Sequence, residues 1–269
     1  MPKPNQTPIS EKDLNEYLSS ESDFAFEMNV LSLLRKLGCT CSHGGTYEDP
    51  ITHRIRQYDI RAEKVESNRK LALAVECKNL WPNFPLLVSA VPRTANEAFH
   101  QVVTLRQKAP VAHIFRGVDR VVQDRSIYRP DEMVGKQIDQ VGRTKQGSEL
   151  FSDDSSTFDK MSQAINSSRD VFVGSAGDWG PAGFRVVIPV LVVPIGALWQ
   201  VEYDHDGNIT KHPCRVNEAT FFIDHLWTAS VGGHALNYRI SHLHIVTIVQ
   251  VERTLIRWMG PAGFFSTLN

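Results

Sequence analysis

The chain has 269 residues, 42% of them apolar and 22% charged, which is the composition of a folded globular protein with a substantial core. Its formal net charge is −1, so overall charge gives no sign of nucleic-acid binding, and any polyanion site must depend on local positive potential. The four cysteines follow no disulfide pattern and predict a reducing compartment.

The N-terminal segment is polar, and residues 1–10 are predicted to form a flexible tail without the apolar core of a signal peptide. The most apolar run, residues 186–198, is too short to span a bilayer and contains two prolines, so it predicts buried strands. We therefore expect a cytoplasmic protein.

Two helices are predicted next, one starting near Ser10 and one from about residue 22 to residue 37. The predicted buried stripe of the second helix consists of Phe24, Met28, Leu31 and Leu34. Glu27 shares a face with positions 24, 31 and 34, because the spacings are three and four residues. A carboxylate within an apolar stripe requires a partner or a function.

An alternating segment from residue 54 to residue 62 predicts a strand that carries Asp59. A highly charged stretch, residues 63–70, is predicted to be a loop. The strand that follows, Leu71–Lys78, is apolar for five residues and then ends in Glu76 and Lys78. We expect the two strands to form an antiparallel hairpin that places Asp59 beside Glu76.

Side chains alternate along a strand, so Glu76 and Lys78 share one face with Ala72 and Ala74. The opposite face is apolar throughout. A strand of this kind is usually covered on both sides, so the two charges lie at the rim of a buried sheet. That position is unfavourable unless the charges are paired or used.

The remainder of the chain shows fewer signals. A helix is predicted from about residue 94 to residue 107, and an irregular segment from 111 to 153. A further helix and three strands are predicted at residues 158–168, 185–193, 198–203 and 242–251. Residues 101–148 carry nine basic and five acidic side chains, which is compatible with a solvated face or with contacts to a phosphate backbone.

Three carboxylates and one amine thus converge: Glu27, Asp59, Glu76 and Lys78. Carboxylates without a thiol or imidazole partner favour a hard cation such as Mg²⁺ or Mn²⁺. Crowded carboxylates raise one another's pKa unless a cation lies among them. In a phosphodiester hydrolase such a metal polarises the phosphoryl oxygen and lowers the pKa of its bound water.

This order of residues, a helical Glu, a strand Asp and a strand Glu-x-Lys, resembles the PD-(D/E)xK nuclease superfamily, which has the restriction endonuclease-like fold. The resemblance implies an α-β-β-β-α-β core over residues 22–110. It also implies that Asp59, Glu76, Glu27 and the backbone carbonyl of Cys77 hold the metal, and that Lys78 is the catalytic lysine.

The expected architecture is a single α/β domain over residues 11–269 with a mixed central sheet flanked by helices. An insertion is expected at about residues 111–153 and further sheet strands at about 185–260. The leading hypothesis is a magnesium-dependent endonuclease-like phosphodiesterase that acts on nucleic acid, with DNA favoured. A homodimer and a subunit of a larger complex both stay open.

The alternative is a catalytically inactive scaffold of the same fold that binds nucleic acid or a protein partner.

Two short motifs give weaker evidence of a metal site. Cys39-x-Cys41-x-His43 lacks a fourth zinc ligand, and His242-x-His244 is more typical of sheet packing than of a metal site. Trp81 and Phe84 are compatible with base stacking, although core packing is the more common role.

Overall fold

The computed structural model describes residues 7–20, 22–108, 113–144, 147, 149–153, 155–177, 183–231 and 233–266, so the predicted tail lies mostly outside the described residues. The helices of the described residues are α1 (Glu11–Ser20), α2 (Asp23–Lys36), α3 (Ser155–Gly177) and α4 (Val251–Met259). None of these described helices combines the length and the apolar character needed to cross a membrane.

The strands of the same residues are β1 (Thr40–His43), β2 (Thr46–Glu48), β3 (Ile55–Gln57), β4 (Ile60–Glu66), β5 (Arg69–Cys77), β6 (Leu86–Pro92), β7 (Phe99–Lys108), β8 (His113–Val122), β9 (Met133–Arg143), β10 (Leu150–Ser152), β11 (Phe184–Val193), β12 (Leu198–Tyr203), β13 (Ile209–Arg215), β14 (Glu218–Val231) and β15 (His234–Thr247). Two short 3-10 helices are Gln123–Arg125 and Ile248–Gln250.

One large mixed sheet organises this α/β structure. Its main path runs β1-β4-β5-β11-β15-β14-β9-β6-β12-β13, while β7 joins through β11 and β10 through β9. The central strands β5, β11 and β15 are parallel to one another. Parallel strands are covered on both faces, and β11 accordingly has nine consecutive buried residues.

The two faces of β5 contact different layers, as the alternation predicts. Leu71, Leu73 and Val75 pack into the core beneath α2 and α4. Ala72 and Ala74 belong to the core on the opposite face, beneath α3. Because side chains alternate, the next residue on the α3 face is Glu76, which brings its carboxylate under that helix.

The predicted hairpin is confirmed, and β4 pairs antiparallel with β5 from Ile60↔Val75 to Glu66↔Arg69. The predicted loop at residues 63–70 is wrong, since only Ser67 and Asn68 lie between the strands. Charged side chains do not prevent strand pairing here because they neutralise one another, as Lys70 Nζ and Glu63 Oε2 do at 2.6 Å.

The predicted helix at residues 94–107 is also wrong, because residues 99–108 form β7, which pairs with β8 along its length. Its sequence contains Phe99, Val102, Val103 and Thr104, which are aromatic or β-branched residues that favour strands. The middle segment is not irregular either: β9 lies within the main sheet between β14 and β6. Such long-range pairing leaves little local periodicity to detect.

Other predicted elements are confirmed in type and differ in extent. The two N-terminal helices and the strands 185–193 and 198–203 are present, and the helix 158–168 is part of the longer α3. The strand predicted at residues 242–251 begins earlier, at His234, and ends at Thr247. In α2 the buried residues are Phe26, Val30, Leu31 and Leu34, whereas Phe24 and Met28 are exposed. Apolar residues occur around most of this helix, so periodicity did not fix its orientation.

We expect truncation of Leu243, which is fully buried on β15, to destabilise the fold by about 2 to 5 kcal/mol, because Leu243→Ala leaves a cavity beneath α3. Leu226 on the neighbouring β14 is 46% exposed and serves as the control, with an expected loss below about 1 kcal/mol for Leu226→Ala. Chemical denaturation measures both values. Equal losses would contradict the described packing of this hairpin.

Candidate functional site

Two carboxylates meet where β4 begins and β5 ends. Asp59 directly precedes β4, and the register that pairs Ile60 with Val75 puts it beside Glu76. The Asp59 backbone N–H donates to Glu76 Oε1 at 3.4 Å, and Asp59 Oδ2 accepts from the Cys77 N–H at 2.8 Å. The predicted proximity of Asp59 and Glu76 is therefore observed, and backbone hydrogen bonds hold both side chains in place.

A lysine from a distant part of the chain binds both carboxylates. Lys160 on α3 has its Nζ 2.8 and 2.7 Å from the two oxygens of Asp59 and 3.1 Å from Glu76 Oε2. No sequence motif indicates this residue, because it lies 84 positions beyond Glu76. The one available signal was a lysine adjacent to Met161 in a predicted helix.

Burial and the charge of Lys160 have opposite effects on the pKa of Glu76, and burial and the two carboxylates have opposite effects on the pKa of Lys160. Glu76 is completely buried, and desolvation followed by the charge of Asp59 raises its pKa well above 4.5, although Lys160 counteracts this. Burial lowers the pKa of Lys160, but the charges of Glu76 and Asp59 outweigh burial and raise it. Lys160 is therefore a cation at neutral pH, held between two acidic groups.

Glu27 lies on the adjacent side of the site. Its Oε2 is 3.3 Å from Nε2 of His43, the last residue of β1, and its side chain is 14% exposed. Burial and then the charge of Asp59 raise the pKa of Glu27, so this carboxylate lies within the electrostatic field of the pair. Its role as a metal ligand stays a prediction. The sequence motif places His43 only in a zinc site, and no local pattern indicates its contact with Glu27.

Lys78 makes a different contact from the one expected. β5 ends at Cys77, so strand alternation no longer determines the direction of the next side chain. The Lys78 Nζ is 3.7 Å from Asp23 Oδ2 at the start of α2, and its backbone N–H donates to Val192. The catalytic role predicted for Lys78 also stays a prediction.

Cys77 contacts the site through its backbone rather than its thiol. Its N–H donates to Asp59, while the fully buried thiol has a pKa raised by desolvation and stays protonated. Cys39 behaves similarly, since burial raises the pKa of its thiol to about 11. That raised pKa disfavours the thiolate that zinc requires.

The carboxylates of the site meet only part of what a divalent metal requires. Asp59 and Glu76 are two carboxylates on neighbouring strands, which is the donor type that Mg²⁺ takes when waters and a phosphate complete its shell. Among the described residues, however, no three His, Cys, Asp or Glu side chains lie close enough together to hold a metal ion. In the observed arrangement the ammonium of Lys160 binds both carboxylates instead.

The basic residues of the middle segment are partly paired. Arg106 forms an ion pair with Asp119 and Lys136 with Glu97, while Arg116 is buried. These three basic residues therefore do not form an open phosphate-binding surface.

Comparison of the chain with protein-family models, with curated proteins and with solved structures gives no match.

We expect Lys160→Met to lower the free energy of unfolding by about 3 to 5 kcal/mol near neutral pH, because two carboxylates then share a buried place without their cation. Lys36 is exposed in the last turn of α2, and Lys36→Met is the control with an expected change below about 0.5 kcal/mol. Urea denaturation measures both. A similar small change in the two variants would show that the ion pairs add no stability.

The loss in Lys160→Met should depend on pH. The pKa of Glu76 is raised in the folded protein, so folding favours its protonated form, and its ionisation reduces stability as pH rises above 4.5. Lys160 counteracts the rise in this pKa, so its removal makes ionised Glu76 more costly in the variant than in the wild type. We therefore expect the stability lost in Lys160→Met to be small at about pH 5 and to grow towards about pH 8. Adding Glu76→Gln should remove most of this dependence. A deficit that stays constant across the range would contradict the assignment to Glu76.

Proposed function

We propose that the chain is a nuclease-like phosphodiesterase of the PD-(D/E)xK type that acts on nucleic acid, with DNA favoured. The observation that carries the proposal is the meeting of Asp59, Glu76 and Lys160 at the ends of two paired strands in the core. Two carboxylates and a cation in one buried place are costly to stability, and such groups concentrate at functional sites.

The order of elements supports the same reading. Helix α2, the antiparallel strands β1, β4 and β5, helix α3 and the strand β11, parallel to β5, follow the α-β-β-β-α-β order of that superfamily. The helix and the last strand come from residues 155–193. The proposed core is thus residues 23–77 together with 155–193, rather than the continuous stretch 22–110, and residues 78–154 form the insertion.

Lys160 suits a role as an electrostatic group rather than as a base. Its raised pKa keeps it protonated at neutral pH, so it can attract a phosphate and stabilise the negative charge that develops on the phosphoryl oxygens. Lys78 follows the strand that carries Glu76 and offers a second amine for orienting water. Glu27 and His43 form a paired acid and imidazole at the flank.

Asp59 and Glu76 are the residues that would hold Mg²⁺ or Mn²⁺, with the Cys77 carbonyl and Glu27 as further ligands. Bound there, the ion would supply Lewis-acid charge and a water of lowered pKa. The proposal requires Lys160 to release at least one carboxylate, because its ammonium lies within 3.1 Å of both. The free carboxylate would then be available to the metal, and the freed ammonium to the phosphate.

A second candidate function is the catalytically inactive scaffold that binds nucleic acid or a protein partner. The observation that favours it is the same ammonium, because Lys160 neutralises the carboxylates and makes them a structural ion-pair cluster. Uptake of divalent metal separates the two candidates. In calorimetry with MnCl₂ a nuclease takes up metal in a manner that depends on Asp59, whereas a scaffold of this kind does not.

We expect the wild-type chain to cut labelled DNA oligonucleotides in the presence of MgCl₂ or MnCl₂. Asp59→Asn and Glu76→Gln should each lower the rate by about 100-fold or more, because each removes a carboxylate that would hold the metal ion. Lys160→Met and Lys78→Met, measured alongside, show which amine the reaction uses, and the geometry favours the larger effect for Lys160.

The matched control is Glu63→Gln. Glu63 lies on β4, the strand that follows Asp59, but it faces Lys70 at the other end of the hairpin. Its substitution should leave the cleavage rate unchanged, and circular dichroism should confirm that all variants fold. Equal rates for wild type, Asp59→Asn and Glu76→Gln would falsify the nuclease proposal, as would the absence of cleavage with both metals on single- and double-stranded DNA and RNA.

A further inference from the structure

A second polar site lies on the other face of the sheet. A cavity of about 410 Å³ is lined by residues of β14, β15 and α4 and of the segment that follows the first 3-10 helix. His244 on β15 is in register with Val190 of β11, which pairs with Val75 of β5. Val75 faces away from α3, so the cavity and the Asp59–Glu76 pair lie on opposite faces.

A buried arginine forms one wall of this cavity. Arg93 is only 2% exposed, and its Nε donates to His242 Nε2 at 3.1 Å. Its Nη2 donates to Thr220 Oγ1 at 3.0 Å, and its Nη1 donates to Glu132 Oε2 at 3.0 Å. A guanidinium cannot lose its proton in a protein, so a fixed positive charge lies in the wall.

A tyrosine, a histidine and a glutamate form the second wall. The hydroxyl of Tyr128 is 2.7 Å from His244 Nε2, and Glu218 Oε1 is 3.6 Å from His244 Nδ1, which is too long for a hydrogen bond. Burial raises the pKa of Glu218, but His244 and Arg257 outweigh it and lower that pKa to about 2. Burial also lowers the pKa of His244. A neutral imidazole next to a carboxylate carries its proton on Nδ1, so Tyr128 donates to Nε2.

The buried Nδ1 of His244 has no hydrogen-bond partner among the described residues, and His244 lines the cavity. The nearest acceptor for this N–H is the Glu218 carboxylate at 3.6 Å, so a water or a ligand within the cavity would complete its hydrogen bonding. Two further arginines, Arg129 and Arg257, line the same cavity. Three arginines oppose two glutamates there, which leaves an excess of one positive charge when the histidine is neutral.

We propose that this cavity binds a small organic molecule through a phosphate or carboxylate group. The volume is near the lower end of the range for small-molecule sites, so the ligand has the size of a metabolite or a mononucleotide rather than of a polymer. Arg129 is exposed and forms no ion pair with a described residue, so its guanidinium is free to bind the anion. The site is independent of the proposed nuclease activity.

Calorimetric titration of the full-length chain with inorganic phosphate and with acetate, at constant ionic strength, tests the proposal. We expect one saturable site for at least one of the two anions, and Arg129→Ala should weaken it about tenfold or more, because a charge-assisted hydrogen bond is lost. Phosphate binding alone assigns the ligand to the phosphate class, and acetate binding alone assigns it to the carboxylate class.

Two control variants test whether the anion binds in this cavity rather than elsewhere on the protein. Arg253→Ala removes an exposed arginine of α4 that does not line the cavity, so affinity should stay the same although net charge changes equally. Lys36→Met removes an exposed cation of α2 and should also leave the affinity unchanged. The proposal is overturned if neither anion binds saturably, or if Arg129→Ala and Arg253→Ala weaken binding equally.

Discussion

The contact on which the site depends is the ammonium of Lys160 bound to Asp59 and Glu76. Glu76 is fully buried, and the Lys160 ammonium counteracts the rise that burial causes in its pKa, so the contact favours a carboxylate where burial alone would favour the neutral acid. The contact also joins three elements, since Lys160 lies on α3, Glu76 on β5 and Asp59 at the start of β4. It therefore fixes how the helix lies over the strand ends as well as the charge balance of the site.

The small side chains of β5 make this contact possible. Ala72 and Ala74 occupy the face under α3, so the helix approaches the strand closely enough for a lysine to reach its charged end. Larger residues on that face would separate the helix from the strand. The apolar strands β11 and β15 continue the same layer and pack against further residues of the helix. The small residues of β5 thus determine both the packing of α3 on the sheet and the contact of Lys160 with the carboxylates.

The two polar assemblies of the molecule lie on opposite faces of one sheet. Near Glu76 a lysine balances two carboxylates, whereas near His244 arginines exceed the glutamates in number. The first is thus the proposed cation site, which requires the lysine to withdraw, and the second is the proposed anion site, where positive charges are in excess. Apolar residues of β11 separate the two, so each can act without the other.

The sequence alone predicted the hairpin that joins Asp59 to Glu76, because strand alternation is a local property, although it predicted too long a loop between the two strands. It also predicted the helix that carries Glu27, where Leu31 and Leu34 are buried as predicted and Phe24 and Met28 are exposed. It predicted a helix where β7 forms, since apolar residues there fit either structure until a partner strand is known. Only the tertiary structure brought Lys160 to the carboxylates and drew Lys78 to Asp23. A residue 101 positions from Asp59 reaches it through the packing of a helix on a sheet, and no local pattern encodes that packing.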